Sequence, residues 1–175
     1  RDYSDQALFT AVARKTVDHS FCGIGILRSL QGRVCIGRID GGIFAGSGLM
    51  PGHIIVSING IQAVENVKKV VDLLAAQENG DIGIVVATTI ASVPKDSTTI
   101  ALGLSLWRNK AHGVAIHSID QTGLFGSSVL QEQQQIMSIN GQPCGSDVKA
   151  AIQMLGEATG ELTIVAVDGV RPQFP

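Results

Sequence analysis

The stretch Phe21–Leu27 has residue types that can hold an anion, because it spaces two glycines in front of an apolar run. Gly23 and Gly25 can adopt positive φ, which lets successive backbone N–H groups point into one concavity that binds a carboxylate or a phosphate. A single loop of this kind is more often the turn of an ordinary β-hairpin. A dinucleotide-binding loop is excluded, since a third glycine is missing and that pattern opens a helix rather than a strand.

The same pattern occurs again at Ala101–Leu106, which indicates an internal repeat. Val34–Asp40 reappears 80 residues later and Ser57–Gly60 reappears 81 residues later. The repeat predicts two domains that are separated by only about five residues, too few for a freely swinging linker. The predicted boundaries are 12–89 and 92–168 for the domains and 1–11 and 169–175 for the terminal extensions.

The composition excludes several classes of function. Among 175 residues, 13 basic and 15 acidic side chains give a net charge of −2, which provides no field for nucleic acid. Three cysteines without C-x-x-C spacing predict a reducing, cytoplasmic location and no zinc site. No apolar run approaches the length of a membrane span, and the N-terminus has no signal-peptide pattern. We expect neither a metal nor a cofactor.

Hydrophobic periodicity predicts the same elements in each repeat. Asn66 and Asp147 are predicted to cap one long amphipathic helix each, and Asn59-Gly60 predicts a tight hairpin. Residues 7–13 are compatible with a strand or with a short helix. The predicted strands are 14–17, 26–30, 34–39, 54–58 and 81–88, then 91–93, 102–107, 114–119, 136–139 and 161–167, with short helices at 43–49 and 124–129.

This order of elements resembles that of the PDZ domain. Gly23-Ile24-Gly25-Ile26 and Ala101-Leu102-Gly103-Leu104 stand in place of the family's Gly-Leu-Gly-Phe, and Ile-Asn-Gly ends a strand at 58–60 and at 139–141. The resemblance covers residues 14–167, and the short separation is similar to the two-domain arrangement of the syntenin and Mint adaptors. It implies a fold that is mainly β with two helices per domain, as two partly open β-barrels or sandwiches in tandem.

The sequence departs from the family pattern at three places. Ala101 replaces a glycine, which is expected to restrict the second loop. The Gly-Asp that usually precedes the central strand is Gly52-His53 in the first repeat and Gln133-Gln134 in the second. The glutamine-rich run 131–135 is expected to be a solvated loop.

The resemblance implies a non-catalytic scaffold or adaptor that binds the C-terminal tails of other proteins, such as membrane receptors, by β-strand addition. Its location would then be cytoplasmic, with membrane association through its partners. His19, Lys15 and Lys95 are the basic residues implied to support the bound carboxylate. The implied peptide-binding residues are Gly23, Ile24, Gly25, Ile26, Val67, Val71 and Leu74 in the first repeat and Ala101, Leu102, Gly103, Leu104, Val148, Ile152 and Leu155 in the second.

Val67 and Val148 stand where family members that recognise Ser or Thr have a histidine. Valine offers no hydrogen-bond partner, so a ligand hydroxyl there would be buried unsatisfied at a cost of about 1–3 kcal/mol. Ligands that end in Φ-x-Φ, where Φ is apolar, are therefore predicted. The alternative is that both valines are ordinary core residues.

Three other functions remain open at this point. The pair of domains is compatible with a regulatory segment of a larger enzyme, such as a serine protease, although no catalytic triad or pair of acids is recognisable. The tail 169–175 is a candidate for self-association. Cys22 is either a reactive thiol or a small hydrophobe. Anionic lipids such as phosphoinositides are a possible partner for Arg28, Arg33, Arg38, Lys68 and Lys69.

Overall fold

The computed structural model describes residues 5–62, 66–98, 100–109 and 113–171. The chain divides into two compact units. The first unit is Leu8–Thr88, and the second is Thr89–Pro175 together with the residues before Leu8. The last residues of the expected self-associating tail, 172–175, lie outside the described residues.

The first unit is an antiparallel sheet with one described helix. Its strands pair in the order β2-β3-β4-β6, while β1 pairs with β6 and β5 pairs with β4. The elements are β1 (Gln6–Lys15), β2 (Ile24–Arg28), β3 (Val34–Ile39), β4 (Ile54–Ile58), β5 (Ile61–Gln62), α1 (Val67–Ala76) and β6 (Gly80–Lys95), of which β6 continues into the second unit at Thr89.

The second unit repeats this arrangement. The part of β6 from Thr89 onward pairs with β11, and the order continues β11-β9-β8-β7, with β10 against β9. The elements are β7 (Leu104–Arg108), β8 (Val114–Ile119), β9 (Gln135–Ile139), β10 (Gln142–Pro143), α2 (Val148–Glu157) and β11 (Gly160–Val167). Each unit buries its own hydrophobic core, one around Phe44 and the other around Phe125.

Both long helices begin at the predicted caps. The side chain of Asn66 accepts a hydrogen bond from the N–H of Lys69 at 3.3 Å, and that of Asp147 accepts one from Ala150 at 3.2 Å. These bonds satisfy N–H groups that the first helical turn leaves without a partner. The predicted apolar face of each helix is also confirmed, since Val70 and Leu74 are buried in α1 and their counterparts Ala151 and Leu155 are buried in α2.

The predicted Asn-Gly hairpins are confirmed, and the asparagines do more than turn the chain. Asn59 and Gly60 have φ of 48° and 79°, and Asn140 and Gly141 have 49° and 81°, as a two-residue hairpin loop requires. The Asn59 side chain also accepts a hydrogen bond from the N–H of Gly83 at 2.6 Å. Asn140 accepts the equivalent bond from Thr163 at 2.7 Å. Each asparagine therefore ties the hairpin to the closing strand.

The predicted short helices at 43–49 and 124–129 are wrong. Both segments form turns, so the described part of each unit has one helix rather than two. Gly46 and Gly48 adopt φ of 72° and 92°, which a continuous right-handed helix does not permit. Each turn holds one fully buried phenylalanine, Phe44 or Phe125, so core packing shapes these segments.

Two further predictions fail at the ends of strands. Residues 7–13 belong to β1, which ends at Lys15, and Thr16–His19 form a turn rather than a strand. The expected linker at 89–93 is part of the continuous strand β6. A β-branched run that pairs with β11 at these positions accounts for the absence of a separate linker.

The glutamine-rich run is not simply a solvated loop. Gln134 is fully buried, and its side-chain oxygen accepts a hydrogen bond from the N–H of Gln131 at 2.8 Å. Its amide nitrogen donates to Thr89 Oγ1 and Asp168 Oδ1, both at 3.2 Å. A buried amide is tolerated because its polar atoms have partners.

Candidate functional site

The two glycine loops are equivalent in a register that differs from the predicted one. Gly23 and Gly103 both lie in the left-handed region, with φ of 73° and 77°. The carbonyl of Gly23 accepts a hydrogen bond from the N–H of Asp40 at 2.7 Å, and that of Gly103 accepts one from Asp120 at the same distance. The predicted alignment of Gly23 with Ala101 is therefore wrong by two residues, and the loop of the first unit is Phe21–Ile24.

This register changes the roles expected for three residues. Gly25 lies in β2 opposite Arg38 without a positive φ, so it is not one of the turning residues of the loop. Ala101 corresponds to Phe21, and its φ is not positive, so the expected restriction of the second loop does not arise. Cys22 corresponds to Leu102, and both side chains pack against the core of their own unit.

The loops turn their carbonyl groups toward the protein. Phe21 O accepts a hydrogen bond from the N–H of Ile43 at 2.9 Å, and Ala101 O accepts one from Leu124 at 3.1 Å. Among the described residues, no protein acceptor is found for the loop N–H groups, which are those of Cys22, Gly23, Leu102 and Gly103. These amides are available to an anion.

The loop of the second unit is held by Asp120. Its backbone N–H binds Gly103, and its carboxylate accepts hydrogen bonds from the N–H and the hydroxyl of Thr122 at 2.9 and 2.8 Å. These donors lower the pKa of Asp120 because they stabilise the charged carboxylate. The carboxylate is thereby turned to Thr122.

One edge of β2 and one edge of β7 are unpaired in the described part of the chain. Each strand has a single neighbour, β3 for β2 and β8 for β7. Helix α1 lies against β2, and helix α2 lies against β7. Each unit therefore has a groove between a strand edge and a helix, with the glycine loop immediately before the strand. We call these the first groove and the second groove.

The structure brings most of the predicted peptide-binding residues to these grooves. Their strand side chains are partly buried against the unit's own core, as Ile24 and Ile26 are in the first unit and Leu102 and Leu104 are in the second. Leu106, which was not predicted, corresponds to Ile26 and is packed in the same way. The missed signal was the 80-residue offset of the neighbouring strand.

The helix residues of the grooves differ in burial. Val67 and Val148 are half-buried against the cores, so packing and ligand contact are compatible at this position. Val71 is 45% exposed and Ile152 is 54% exposed. The i, i+4 and i+7 spacing from Val67 places these exposed side chains on the same helix face as the buried Leu74 and Leu155.

Lys95 has a role other than the predicted support of a ligand carboxylate. The side chain is fully buried, and its Nζ donates to the carbonyls of Leu155, Gly156 and Ala158 at 2.9, 2.7 and 2.7 Å. These bonds use the three donors of an ammonium group at the C-terminus of α2, where the helix dipole favours a cation. The buried position explains why it is not free to meet a ligand.

Lys15 makes the corresponding contact in the first unit with a single bond. Its Nζ donates to the carbonyl of Gln77, the C-cap of α1, at 2.8 Å. Its charge also acts on Cys22, whose pKa is raised mainly by burial and is lowered in part by the nearby ammonium group. Lys15 therefore lies close enough to the loop to favour an anion there, and His19 is an exposed residue of the turn that precedes it.

Trp107 is a groove neighbour that the sequence patterns did not single out. It lies on β7, is 43% exposed, and its ring centroid is 4.5 Å from that of His117. Leu104 and Leu106 pack on the core, so the alternation of the strand places Trp107 on the other face. Trp107 is the single tryptophan of the chain and reports on the second unit.

The basic residues considered for lipid binding are partly engaged within the protein. Arg38 Nε lies 2.7 Å from the Asp40 carboxylate, and Lys68 Nζ lies 2.8 Å from that of Asp72. Arg28 donates to the carbonyl of Gly32 at 2.7 Å. These contacts do not favour a basic patch for lipid.

The described residues include no group of three or more His, Cys, Asp or Glu side chains arranged to hold a metal ion. In the same part of the chain, no helix is long and apolar enough to cross a membrane. The three cysteines are free thiols.

No protein-family model matches the chain, and no curated protein matches it. Solved structures of PDZ domains do match. The PDZ domain from choanoflagellate GIPC bound to a B1AR peptide is 24% identical, with a TM-score of 0.43, covering 50% of this chain and 97% of that one. INAD PDZ45 in complex with an NG2 peptide is 18% identical, with a TM-score of 0.42, covering 100% and 96%. MUPP1 PDZ4 is 25% identical, with a TM-score of 0.41, covering 47% and 76%.

Proposed function

We propose that the protein is a non-catalytic tandem PDZ-type adaptor in which each unit binds the C-terminal tail of a partner protein. The tail adds as an antiparallel strand to the free edge of β2 or β7. Its terminal carboxylate accepts hydrogen bonds from the loop N–H groups. The cytoplasmic location expected from the cysteine pattern, with membrane association through partners, belongs to the same proposal.

One observation carries this proposal. In both units a strand with an unpaired edge follows directly on a loop whose carbonyls are bonded to the protein and whose N–H groups are not. The edge supplies donors and acceptors for an added strand, and the loop supplies donors for an anion at the end of that strand. A ligand that combines an extended backbone with a terminal negative charge matches both.

The groove walls favour apolar side chains at alternate ligand positions. Successive residues of an added strand point to opposite sides, so the last residue and the one two before it face the same wall. Ile24, Ile26 and Leu74 line the wall for the last residue in the first groove. Val67 faces the residue two positions before it, which supports the Φ-x-Φ preference.

Free and amidated peptides test this function. We would titrate the intact protein with a peptide ending in Val-Lys-Val, once with a free carboxylate and once amidated, and follow the backbone amide resonances. The free peptide is expected to shift the resonances of Ile24–Ile26 and Leu104–Leu106. Amidation is expected to weaken binding about tenfold or more, because it removes the charge that the loop amides bind.

A peptide with the same composition and an aspartate as its last residue but one, but with an amidated end, serves as the charge-matched control. Equal affinity of the free and amidated forms would contradict the proposal. Resonance shifts confined to residues away from β2 and β7 would contradict it as well.

A further inference from the structure

The corrected register aligns two six-residue walls, one for each groove. Four of the six pairs are identical or isomeric, since isoleucine replaces leucine in two pairs on the strands and valine and leucine are repeated on the helices. The pairs are Cys22 and Leu102, Ile24 and Leu104, Ile26 and Leu106, Val67 and Val148, Val71 and Ile152, and Leu74 and Leu155.

The two remaining pairs differ in size, and in the same direction. The thiol of Cys22 replaces the isobutyl group of Leu102 just before the strand. Valine at 71 replaces isoleucine at 152 on the exposed part of the helix face, where the side chains are 45% and 54% exposed. Together the wall of the first groove has about three fewer heavy atoms than that of the second.

One opposite difference does not cancel this one. Val70 is larger than its counterpart Ala151, but both side chains are fully buried. They belong to the unit cores rather than to the exposed walls. The first groove therefore has more room where the last ligand side chain would lie.

We infer that the two grooves select different C-terminal residues, with Cys22 admitting a large side chain such as phenylalanine to the first groove and Leu102 restricting the second groove to a small one such as valine. This inference rests on the proposed function. One extra or missing methylene in an apolar pocket changes discrimination by about tenfold or more, so a difference of about three heavy atoms is ample. Cys22 and Leu102 are then the residues that give one chain two specificities.

Reciprocal substitutions in the intact protein test the inference. We would titrate the wild type, Cys22→Leu and Leu102→Cys with free-carboxylate peptides that end in Val-Lys-Val or in Val-Lys-Phe. The amide resonances of Ile24–Ile26 report the affinity of the first groove, and those of Leu104–Leu106 report the second. In each variant the unaltered groove is the internal control.

In the wild type, the first groove is expected to prefer the phenylalanine peptide about tenfold relative to the preference of the second groove. Cys22→Leu is expected to abolish this preference in the first groove, and Leu102→Cys is expected to create it in the second. If both wild-type grooves rank the two peptides alike, or if neither substitution changes the ranking, the inference is wrong while the proposed function stands. If neither peptide shifts either set of resonances, the proposed function itself fails, and the inference fails with it.

Discussion

The Nδ1 atom of His53 accepts a hydrogen bond from the backbone N–H of Met50 at 3.0 Å, within the turn that leads into β4. The histidine side chain is 6% exposed, and this burial lowers its pKa below the ordinary value of 6.5. The folded first unit therefore holds the neutral ring, whose unprotonated nitrogen completes the turn.

The first prediction concerns the pH dependence of the first unit. Below about pH 6.5 the unfolded chain binds a proton at His53 that the folded unit does not bind, so the free energy of unfolding falls as the pH falls. Urea unfolding at pH 7.5 and pH 5.5, followed by the amide resonances of β4, is expected to show a lower midpoint at pH 5.5.

The second unit suggests the control for this measurement. Gln134 occupies the position of His53, and its Oε1 accepts a bond from the N–H of Gln131 at 2.8 Å. In His53→Gln the same turn keeps an acceptor that does not titrate, so its midpoint should change less between the two pH values. An equal change in both proteins would show that other groups cause the dependence.

The second prediction concerns the two glycines of the first loop. In Gly23→Ala the new Cβ would clash with the carbonyl oxygen of Gly41 at a positive φ, and we expect a loss of unfolding free energy of about 1–3 kcal/mol together with loss of peptide binding. Gly25→Ala is the matched control. Its Cβ would meet the flexible side chain of Arg38, so a smaller loss is expected. Urea unfolding and peptide titration measure both, and equal losses would contradict the register that we describe.

The third prediction concerns Lys95. Lys95→Met leaves the carbonyls at the end of α2 without their buried donor, and we expect a loss of about 3 kcal/mol in the unfolding free energy of the second unit. The fluorescence of Trp107 during urea unfolding measures it. Lys15→Met removes one bond from a partly exposed site and is expected to cost about 1 kcal/mol. A smaller loss for Lys95→Met than for Lys15→Met would contradict this assignment.

The fourth prediction concerns the ligand residue two before the end. In Val67→His the ring nitrogen can pair with a hydroxyl, so a peptide ending in Thr-Lys-Val should gain about tenfold in affinity for the first groove. The second groove, with Val148 unchanged, should show no gain in the same titration. If threonine is not favoured over valine in the variant, residue 67 does not face the ligand.

The sequence predicted best what is decided locally. The helix periodicity that begins at Val67 and Val148, the capping residues and the Asn-Gly turns all depend on neighbours a few residues away, and the structure confirms them. The edge strands were also expected, although their bounds moved by up to two residues. Element ends depend on pairing partners that are distant in the chain.

The loop register was decided by contacts that the sequence does not display. Two glycines separated by one residue satisfy the motif equally well, and only the bond from Asp40 to Gly23 identifies the one that turns. Lys95 was misjudged for a similar reason. A lysine beside a loop suggests an anion, whereas its position 60 residues before Leu155 brings it to a helix end.

The amide of Gln134 has a consequence for any attempt to isolate the second unit. Its two N–H groups reach Thr89, where the unit begins, and Asp168, where the last strand has just ended. A fragment trimmed to start at residue 92 would keep a buried amide that has lost one acceptor, at a cost of about 1–3 kcal/mol. The smallest portion expected to survive on its own therefore runs from before Thr89 to beyond Asp168.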